Sequence, residues 1–351
     1  MPTTVTAIPN RPPVLRVARE ARAELGQVWT EGVVASDPDG DIVTIRIGDG
    51  PEGFRPTTDG RGRIDGFEWE PVEPGEWTVT ISASDPGGQS ASSDVLLVAR
   101  SRRDGDLLLA LGDSLAAGFG RDRTDLLDPD ECGRLESVSY PARTFATLVD
   151  AGSLAPDARF LMAACGGSGT DSLFTREVSV TVLDGGQAAE QEDVGSLTQL
   201  EWAGLLNPTI VTVTVGADDV GLVEPGRVID ADAGDEPQVA IDAGKLEKEL
   251  AECEAALFEL LVALLTQTDA HIALTTYYDP TAADPIGVPG CAGACFREVS
   301  RTFHTALNER IRDVAARLPG ARTSVVGFDD AFTSLGTGGQ SAHCARDAGR
   351  E

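Results

Sequence analysis

The chain has 351 residues, of which 41% are hydrophobic and 24% are charged; this length suits two domains and this composition is ordinary for a globular protein. Its formal net charge of −29 would repel nucleic acids and anionic lipid headgroups, so neither is expected as a partner. Apolar stretches such as Leu107–Leu111 and Leu257–Leu265, the second of which contains Glu259, are too short to span a bilayer, so no transmembrane segment is predicted.

Residues 1–100 are predicted to form an all-β domain. Runs that alternate apolar and polar residues lie at Ile42–Ile47, Trp77–Ile81 and Val95–Val98, with Asp-, Pro- and Gly-rich turns between them. Short strands with this punctuation indicate a β-sandwich. Three of the four tryptophans fall in this stretch, at Trp29, Trp69 and Trp77. Large aromatic residues dominate small β cores, so we expect them in the core rather than in a sugar-binding platform.

One turn of this domain carries three alternating aspartates, Asp37, Asp39 and Asp41. Their carboxylates can converge on one calcium ion, but Asp and Gly also form tight turns without an ion, and both interpretations stay open. Together with Asn10–Pro13 and Ser84–Gly88, the turn makes this stretch similar to bacterial Ig-like or cadherin-like modules. That resemblance implies a spacer or adhesion module, in some members with structural calcium.

Residues 101–351 are predicted to form an α/β domain, which begins at a polar linker, Ala99–Gly105. Strand-like and helix-like patterns alternate along it, which indicates a parallel sheet with helices on both faces. The predicted strands are Leu107–Leu111, Arg159–Ala163, Thr209–Val215, His271–Thr276 and Thr323–Phe328. The predicted helices are Pro141–Val149, Ser196–Leu206, Leu246–Leu265 and Phe296–Leu318. The third of these helices has an apolar stripe at helical spacing.

Four blocks of small and polar residues each follow a predicted strand. They are Gly112-Asp113-Ser114, Ala164–Thr170, Val215–Gly221 and Ser341–Cys344. In open parallel sheets, ligands bind beyond the carboxyl ends of the strands, where these blocks can meet. The chain has no Gly-x-Ser-x-Gly motif, which argues against the α/β-hydrolase fold.

A serine at such an edge needs a base to become nucleophilic near neutral pH, and the chain has three histidines to supply one. His304 falls inside a predicted helix beside its apolar stripe, so we expect it to pack or to face solvent. His271 opens a strand at the opposite edge of the sheet from the blocks. His343 follows the last strand and is the predicted base for Ser114.

With these four blocks, the chain from about residue 105 to residue 346 resembles the SGNH (GDSL) hydrolase family. The resemblance implies a flavodoxin-like α/β/α three-layer fold and hydrolysis of carboxylic esters without a cofactor. It implies that Ser114 is the nucleophile and His343 the general base. It also implies an oxyanion hole formed by the backbone N–H groups of Ser114 and Gly167 and by residue 218.

The chain departs from this family at two positions. The family's third block reads Gly-x-Asn-Asp, whereas Asp218 stands in place of the asparagine. An ionised carboxylate can only accept hydrogen bonds, and it adds negative charge where the oxyanion develops. Gln340 stands where many members have the aspartate that orients the histidine, and we expect its backbone carbonyl to orient His343 instead, as in some disulfide-bonded members.

The six cysteines all lie after residue 130. An even number of widely spaced cysteines suits three disulfides and an oxidising, extracellular location. The resemblance implies a Cys132–Cys165 bridge, and a bridge from Cys344 to either Cys295 or Cys291, with Cys253 paired to the other. Because Met1–Asn10 lacks the features of a signal peptide, we expect either that the signal was removed or that the chain is a fragment.

The predicted function is therefore that of a secreted esterase or lipase whose substrate is a lipid or an acylated carbohydrate. A different class of function stays open because of Asp218 and Gln340. On that alternative, the chain is a surface-binding protein whose hydrolase fold has weakened or lost activity.

Overall fold

The computed structural model describes residues 9–103, 105–118, 132–134, 139–184, 187–188, 196–221, 229–231, 239–279 and 294–329. The chain divides into two compact units. Unit 1 comprises Met1–Arg102 with the short segments Gly204–Asn207 and Thr266–Thr268, and unit 2 comprises the remainder. The architecture is mixed, with β-sheets in both units and helices concentrated in unit 2.

The elements of unit 1 between residue 9 and residue 100 are nine strands. They are β1 (Val14–Arg16), β2 (Glu20–Glu24), β3 (Trp29–Gly32), β4 (Val34–Ser36), β5 (Thr44–Ile47), β6 (Phe54–Thr58), β7 (Ile64–Trp69), β8 (Gly75–Ser84) and β9 (Ser90–Arg100). They form a four-stranded sheet in the order β2-β9-β8-β5, a three-stranded sheet in the order β3-β7-β6, and a β1-β4 pair. The longest ladder joins β8 to β9 over ten antiparallel residue pairs.

A single apolar cluster draws on both larger sheets of unit 1. Trp69 of β7 is fully buried together with Ile81 of β8 and Leu97 of β9. Trp29 and Trp77 are partly buried and pack against this cluster. The prediction that these tryptophans belong to a core is thus confirmed, whereas the relationship to Ig-like or cadherin-like modules stays a prediction.

The turn with alternating aspartates is held by hydrogen bonds of its own. The Asp37 carboxylate accepts the backbone N–H groups of Asp39 at 2.7 Å and Asp41 at 3.3 Å. Asp39 is paired with Arg11, whose backbone N–H and guanidinium both donate to it. In the described parts of the chain, no group of three or more acidic, histidine or cysteine side chains is placed to hold a metal ion. Calcium at this turn stays an untested prediction.

Unit 2 contains the remaining strands and the six helices of the described chain. The strands are β10 (Leu107–Gly112), β11 (Arg159–Met162), β12 (Glu177–Val178), β13 (Thr181–Asp184), β14 (Gln187–Ala188), β15 (Leu197–Thr198), β16 (Ile210–Thr214), β17 (Ile229–Ala231), β18 (Val239–Ile241), β19 (His271–Thr275) and β20 (Thr323–Val326). The helices are α1 (Ser114–Ala117), α2 (Tyr140–Asp150), α3 (Ser172–Thr175), α4 (Gln199–Leu206), α5 (Ala243–Gln267) and α6 (Ala294–Ala316).

The main sheet of unit 2 has seven strands in the order β14-β13-β11-β10-β16-β19-β20. Strands β11, β10, β16, β19 and β20 pair in parallel, as the alternation of strands and helices predicts. Every residue of β10 is buried, which is typical of a strand in the interior of a parallel sheet. The carboxyl ends of these strands therefore lie along one edge of the sheet.

One edge of this sheet differs from the fully parallel arrangement predicted from the sequence. Strand β13 runs antiparallel to β11, and β14 runs antiparallel to β13. Two residues join β13 to β14, and a connection that short can join only antiparallel strands. The hairpin lies outside the five parallel strands, four of which precede the predicted blocks.

Helix α5 is the longest of the described helices, and it contains the predicted apolar stripe. Its buried residues are Leu246, Leu250, Cys253, Leu257, Leu260, Leu261, Leu264 and Leu265. They recur at the three- and four-residue spacing of a helix with one face in the core. Among the helices that the structure describes, none has the length and hydropathy that a membrane span requires.

Candidate active site

Ser114 is the first residue of α1 and stands directly beyond the carboxyl end of β10. The sharp turn that places it there requires glycine at position 112, because Gly112 has a φ of 128° and a Cβ on it would lie 2.0 Å from the Thr214 carbonyl oxygen. Asp113 caps α1 by accepting the Leu115 N–H at 2.8 Å. Ser114 is half-buried, and nothing in the described chain hydrogen-bonds to its hydroxyl.

The second block follows β11 and passes beside Ser114. The Cys165 N–H donates to the Gly112 carbonyl at 2.9 Å, which joins the two blocks directly. A Cβ built on Gly166 would lie 3.8 Å from the Ser114 Cβ. Within the described chain, the Gly167 N–H donates to no protein acceptor, so it is free to meet a ligand. The structure thus brings together Ser114 and Gly167, two residues predicted for one site.

A disulfide and several hydrogen bonds hold the backbone of this second block. Cys132 and Cys165 form a disulfide, as predicted, and the Cys132 carbonyl accepts the Gly166 N–H at 2.9 Å. Arg134 is buried and donates to the Ala164 carbonyl at 2.8 Å, and Arg176 donates to the Gly166 carbonyl at 3.0 Å. These contacts fix the backbone of a loop that has few large side chains of its own.

The third block follows β16 and is tied to the second through Asp219. The Asp219 carboxylate accepts the Thr170 N–H at 3.0 Å and the Thr170 hydroxyl at 2.7 Å. Gly216 turns the chain here with a φ of 129°, and a Cβ on it would lie 3.2 Å from the Cys253 Sγ. Asp219 therefore has a positioning role that the sequence did not reveal.

Asp218, its neighbour, has a different environment. Its Oδ2 is buried, and no hydrogen-bond partner for it exists among the described residues. Partial burial, and then the negative charge of Asp219, raise the pKa of Asp218. A carboxyl group in this environment keeps its proton to a higher pH than an exposed aspartate does, and in that form it is a hydrogen-bond donor.

Asp113, the residue before Ser114, forms a buried pair with Tyr277. Asp113 is 2% exposed and Tyr277 is 4% exposed, and the Tyr277 hydroxyl donates to the Asp113 Oδ2. Burial raises the pKa of Asp113 to about 7; the hydrogen bond from Tyr277 lowers it, and the charge of Asp218 raises it. Asp113 thus titrates near neutral pH, next to the predicted nucleophile.

Two further residues near the site were not predicted from the sequence. Gln199, at the start of α4, accepts the Gly112 N–H at 2.7 Å and donates to the Gly112 carbonyl at 3.1 Å. Tyr277 was missed although it follows β19 by two residues, so the rule that located the other blocks at strand ends would have identified it. Gln199 lies at a helix start and carries no such signal.

A cavity of about 510 Å³ opens beside the second and third blocks. Its lining includes backbone from the second block at Gly167 and Gly169 and the side chain of Cys253 from α5. Five carboxyl groups also line it, from Asp171, Asp218, Asp219, Glu249 and Glu252. The volume is in the range of ordinary small-molecule sites, and the lining is strongly acidic.

The two described histidines have partners away from Ser114. His271 lies at the start of β19, where its Nε2 is 2.9 Å from the Ser324 hydroxyl. His304 is buried in α6, its Nδ1 is 2.7 Å from the Ser300 carbonyl of the same helix, and burial lowers its pKa. Neither hydrogen-bonds to Ser114, which agrees with the predicted elimination of both as its base. His343 and Gln340 lie outside the described residues.

Within the described chain, Cys253 forms no disulfide, and its predicted pairing stays a prediction. Its side chain is buried on the core face of α5 against the Gly216 turn. Burial raises the pKa of this thiol, and the charges of Asp219 and Glu254 raise it further. The residue belongs to the apolar stripe of the helix, and this packing role explains its position. Cys291 and Cys344, and the side chain of Cys295, lie outside the described parts of the chain.

Solved structures of several lipases share features with this chain. A phospholipase A1 from Streptomyces albidoflavus NA297 matches with a TM-score of 0.40 and 17% identity over 66% of this chain and 82% of that chain. An extracellular lipase from Streptomyces rimosus matches with a TM-score of 0.41 and 17% identity over 65% and 82% of the two chains. A GDSL-like lipase from Parabacteroides merdae ATCC 43184 matches with a TM-score of 0.36 and 15% identity over 66% and 82%.

No protein-family model matches the chain, and no curated protein matches it. Identities and TM-scores this low do not assign a function, so any assignment has to come from the residues around Ser114.

Proposed function

We propose that the chain is a serine ester hydrolase of the SGNH (GDSL) type, with Ser114 as its nucleophile. One observation carries the proposal: blocks from three separate parts of the sequence are hydrogen-bonded to one another around Ser114. The Cys165 N–H meets the Gly112 carbonyl, and Asp219 accepts from Thr170. Such convergence of strand-end residues, beside a cavity of suitable size, is typical of an active site in an α/β sheet.

In the proposed mechanism, the Ser114 Oγ attacks the ester carbonyl carbon while His343 accepts the hydroxyl proton. The N–H groups of Ser114 and Gly167 donate to the oxyanion that forms. Protonated His343 then gives its proton to the departing alcohol, which leaves an acyl group on Ser114. Water activated by His343 hydrolyses that acyl-enzyme, and no cofactor takes part.

The same proposal extends to the setting of the enzyme. The Cys132–Cys165 disulfide supports a secreted protein of the disulfide-bonded branch. We propose a flavodoxin-like layering for unit 2, and an Ig-like or cadherin-like spacer for residues 1–100. The substrate we propose is a lipid or an acylated carbohydrate.

A fluorophosphonate probe tests the central claim, because it reacts covalently with activated serine nucleophiles. We expect the full chain to be labelled on the peptide that contains Ser114, and Ser114→Ala to remain unlabelled. His343→Ala should also lose labelling. His271→Ala should retain it, because His271 lies at the start of β19, away from the carboxyl ends of the strands. Labelling at a different serine would refute the assignment.

Asp218 favours one alternative, a hydrolase fold that binds esters or glycans without hydrolysing them. Its buried, unpartnered Oδ2 adds a carboxyl group where the family has a neutral donor. On this alternative, the folded chain reacts with no fluorophosphonate probe, and Asp218→Asn restores labelling.

A further inference from the structure

The phenol oxygen of Tyr277 joins two turns of the candidate site. It donates to the Asp113 Oδ2 in the turn after β10, and it accepts the Ala217 N–H at 3.3 Å in the turn after β16. Each partner immediately precedes a residue of the proposed site, since Asp113 comes before Ser114 and Ala217 comes before Asp218. One oxygen atom thus bridges the segment that carries Ser114 and the segment that carries Asp218.

Tyr277 itself is held in place through its backbone. Its N–H donates to the Asn308 Oδ1 at 2.8 Å, and its carbonyl accepts from the Asn308 Nδ2 at 2.8 Å. Asn308 is 2% exposed and belongs to α6, the helix that packs its Leu307 and Ile311 into the core. Two hydrogen bonds to one buried amide leave the Tyr277 backbone little freedom, so the phenol oxygen has a defined position.

We propose that Tyr277 is a positioning residue, whose hydroxyl sets the distance between the Ser114 turn and the Ala217–Asp218 turn. This inference rests on the proposed function, because it concerns the geometry of that reaction. Without the hydroxyl, each turn keeps its own contacts: Asp113 still accepts from Leu115, and Asp219 still accepts from Thr170. The Asp113 N–H also still donates to the Thr214 carbonyl at 2.9 Å, which holds the ends of β10 and β16 together, but this bond lies before the turn residues Ala217 and Asp218. The separation of the two turns is then less constrained, and errors of about 1 Å in a catalytic site cost on the order of 10²-fold in rate.

The bridge depends on the charge of Asp113. An ionised Asp113 accepts from both the Tyr277 hydroxyl and the Leu115 N–H, whereas a protonated carboxyl has less capacity to do so. The titratable groups that face Asp113 in the described chain are Tyr277, Asp218 and Tyr140. The hydrogen bond from Tyr277 lowers the pKa of Asp113 and the charge of Asp218 raises it, while the charge of Asp113 contributes to the raised pKa of Tyr140. Removal of the Tyr277 hydroxyl should therefore move the titration of Asp113 to higher pH.

Tyr277→Phe tests the inference, with Tyr140→Phe as a matched control. The Tyr140 hydroxyl pairs with the Thr214 hydroxyl, which in turn is 2.7 Å from the Thr275 hydroxyl, so its removal also deletes a phenol hydrogen bond but breaks no contact between the two turns. In the full chain acting on a short-chain p-nitrophenyl ester, we expect Tyr277→Phe to lower kcat about 10- to 100-fold. KM should change less than about twofold, since binding contacts are retained. Tyr140→Phe should keep both constants within about twofold.

Two further measurements separate positioning from a loss of fold. The acid limb of the kcat profile should lie at higher pH in Tyr277→Phe than in the wild type. Hydrogen exchange of the Ala217 amide should be faster in Tyr277→Phe and unchanged in Tyr140→Phe, because only the former removes its acceptor. If Tyr277→Phe does not fold, Asn308→Ser weakens the same support and should lower kcat at constant KM.

The inference would be overturned if Tyr277→Phe had the same kcat, the same pH profile and the same Ala217 exchange rate as the wild type. The proposed function fails in a different way, namely when the wild type neither hydrolyses esters nor reacts with the fluorophosphonate probe. In that case, Ala217 exchange still decides whether the Tyr277 hydroxyl joins the two turns.

Discussion

Aspartates at turns occur in both units, and two in unit 1, Asp39 and Asp59, have surroundings opposite to those of two in unit 2, Asp113 and Asp218. In unit 1, Asp59 accepts the N–H groups of Arg61 at 2.8 Å and Arg63 at 3.0 Å within its own turn, and Asp39 is paired with Arg11. Hydrogen bonds from these partners lower the pKa of both aspartates. These carboxylates are ionised and solvated, and they shape turns between strands.

In unit 2, Asp113 and Asp218 follow strands of the parallel sheet and are buried wholly or in part. Burial raises the pKa of each, and the described chain brings no arginine or lysine to either as a hydrogen-bonding partner. Burying a carboxyl group without a cation opposes folding, and perturbed pKa values of this kind cluster at functional sites. These two pairs of turn aspartates therefore differ in the environment of the carboxyl group, although both lie in Asp- and Gly-containing motifs.

The largest expected effect is the loss of ester hydrolysis when Ser114 or His343 is replaced. Ser114→Ala and His343→Ala should each lower ester hydrolysis by at least about 10³-fold, because nucleophile and base act as one unit. His271→Ala should retain activity. Turnover of a short-chain ester, with circular dichroism to confirm folding, is the measurement. A fully active Ser114→Ala would mean that the buried aspartates of unit 2 do not surround an ester-hydrolysing site.

Asp218→Asn should raise turnover near neutral pH by about 10-fold, given the effect of a single oxyanion donor. Asp218 can donate to an oxyanion only while protonated, and its raised pKa extends that form upward in pH from the range of an ordinary aspartate. Its contribution is therefore lost as the pH rises, whereas an asparagine donates at every pH. The two proteins should converge in acid and diverge in mild alkali.

Asp219→Asn is the matched control for that change, because it alters the neighbouring carboxyl group. Asp219 holds Thr170 through three contacts, so its replacement should lower turnover. Equal or lower turnover for Asp218→Asn across the whole pH range would remove Asp218 from the oxyanion hole.

Asp113 should give the free energy of unfolding a distinctive pH dependence. Its pKa is raised from 3.8 to about 7 in the folded chain, so the folded state binds the proton more tightly than the unfolded state. The associated stability is present below the ordinary pKa and is lost as the pH rises through about 7, at no more than about 1.4 kcal/mol per pH unit. When the free energy of unfolding is measured by urea denaturation from about pH 4 to about pH 8, Asp113→Asn should lack this loss of stability. An identical decline in both proteins would assign it to other groups.

The smallest expected effect lies in unit 1. Asp59→Asn removes an exposed carboxylate with a lowered pKa, whose contribution to stability is present above its ordinary pKa and is lost as the pH falls. We expect Tm to change by no more than about 2 °C near neutral pH, and ester hydrolysis to be unchanged. A large loss of activity would show that the aspartate turns of the two units are not as different as their environments indicate.

The sequence predicted the elements of unit 2 well where the pattern was long. The apolar stripe of α5 and the buried residues of β10 follow directly from hydrophobic periodicity, and both elements have nearly the predicted bounds. The antiparallel hairpin of β13 and β14 was not predicted, because two short segments carry little periodic signal. Their direction depends on pairing within the sheet, which a one-dimensional pattern does not contain.

The site shows a similar division. The blocks that contain Ser114, Gly167 and Asp218 were predicted to meet because each follows a strand, and strand ends meet at one edge. The oxyanion-hole roles of the three residues came from the resemblance to the SGNH family. The roles of Asp219, Gln199 and Asn308 were not predicted, since they depend on which backbone groups lie within hydrogen-bonding reach. The apolar periodicity of α5 correctly indicated that Cys253 faces the core. Its predicted disulfide followed from the resemblance and the number of cysteines, and it stays a prediction.

The glycines of the two strand-end turns limit which substitutions the chain can accept. Any side chain at Gly112 would collide with the Thr214 carbonyl oxygen, and Gly216 combines a positive φ with close packing against Cys253. These restrictions come from the backbone and apply whether or not the protein turns over a substrate. A descendant that had lost its chemistry would still need both glycines to fold. In a mutational scan scored on folding alone, Gly112 and Gly216 should therefore be intolerant, while Ser114 should be permissive. Among related chains, retention of the two glycines alone would indicate only the fold, whereas retention of Ser114 as well would indicate selection for the proposed catalysis.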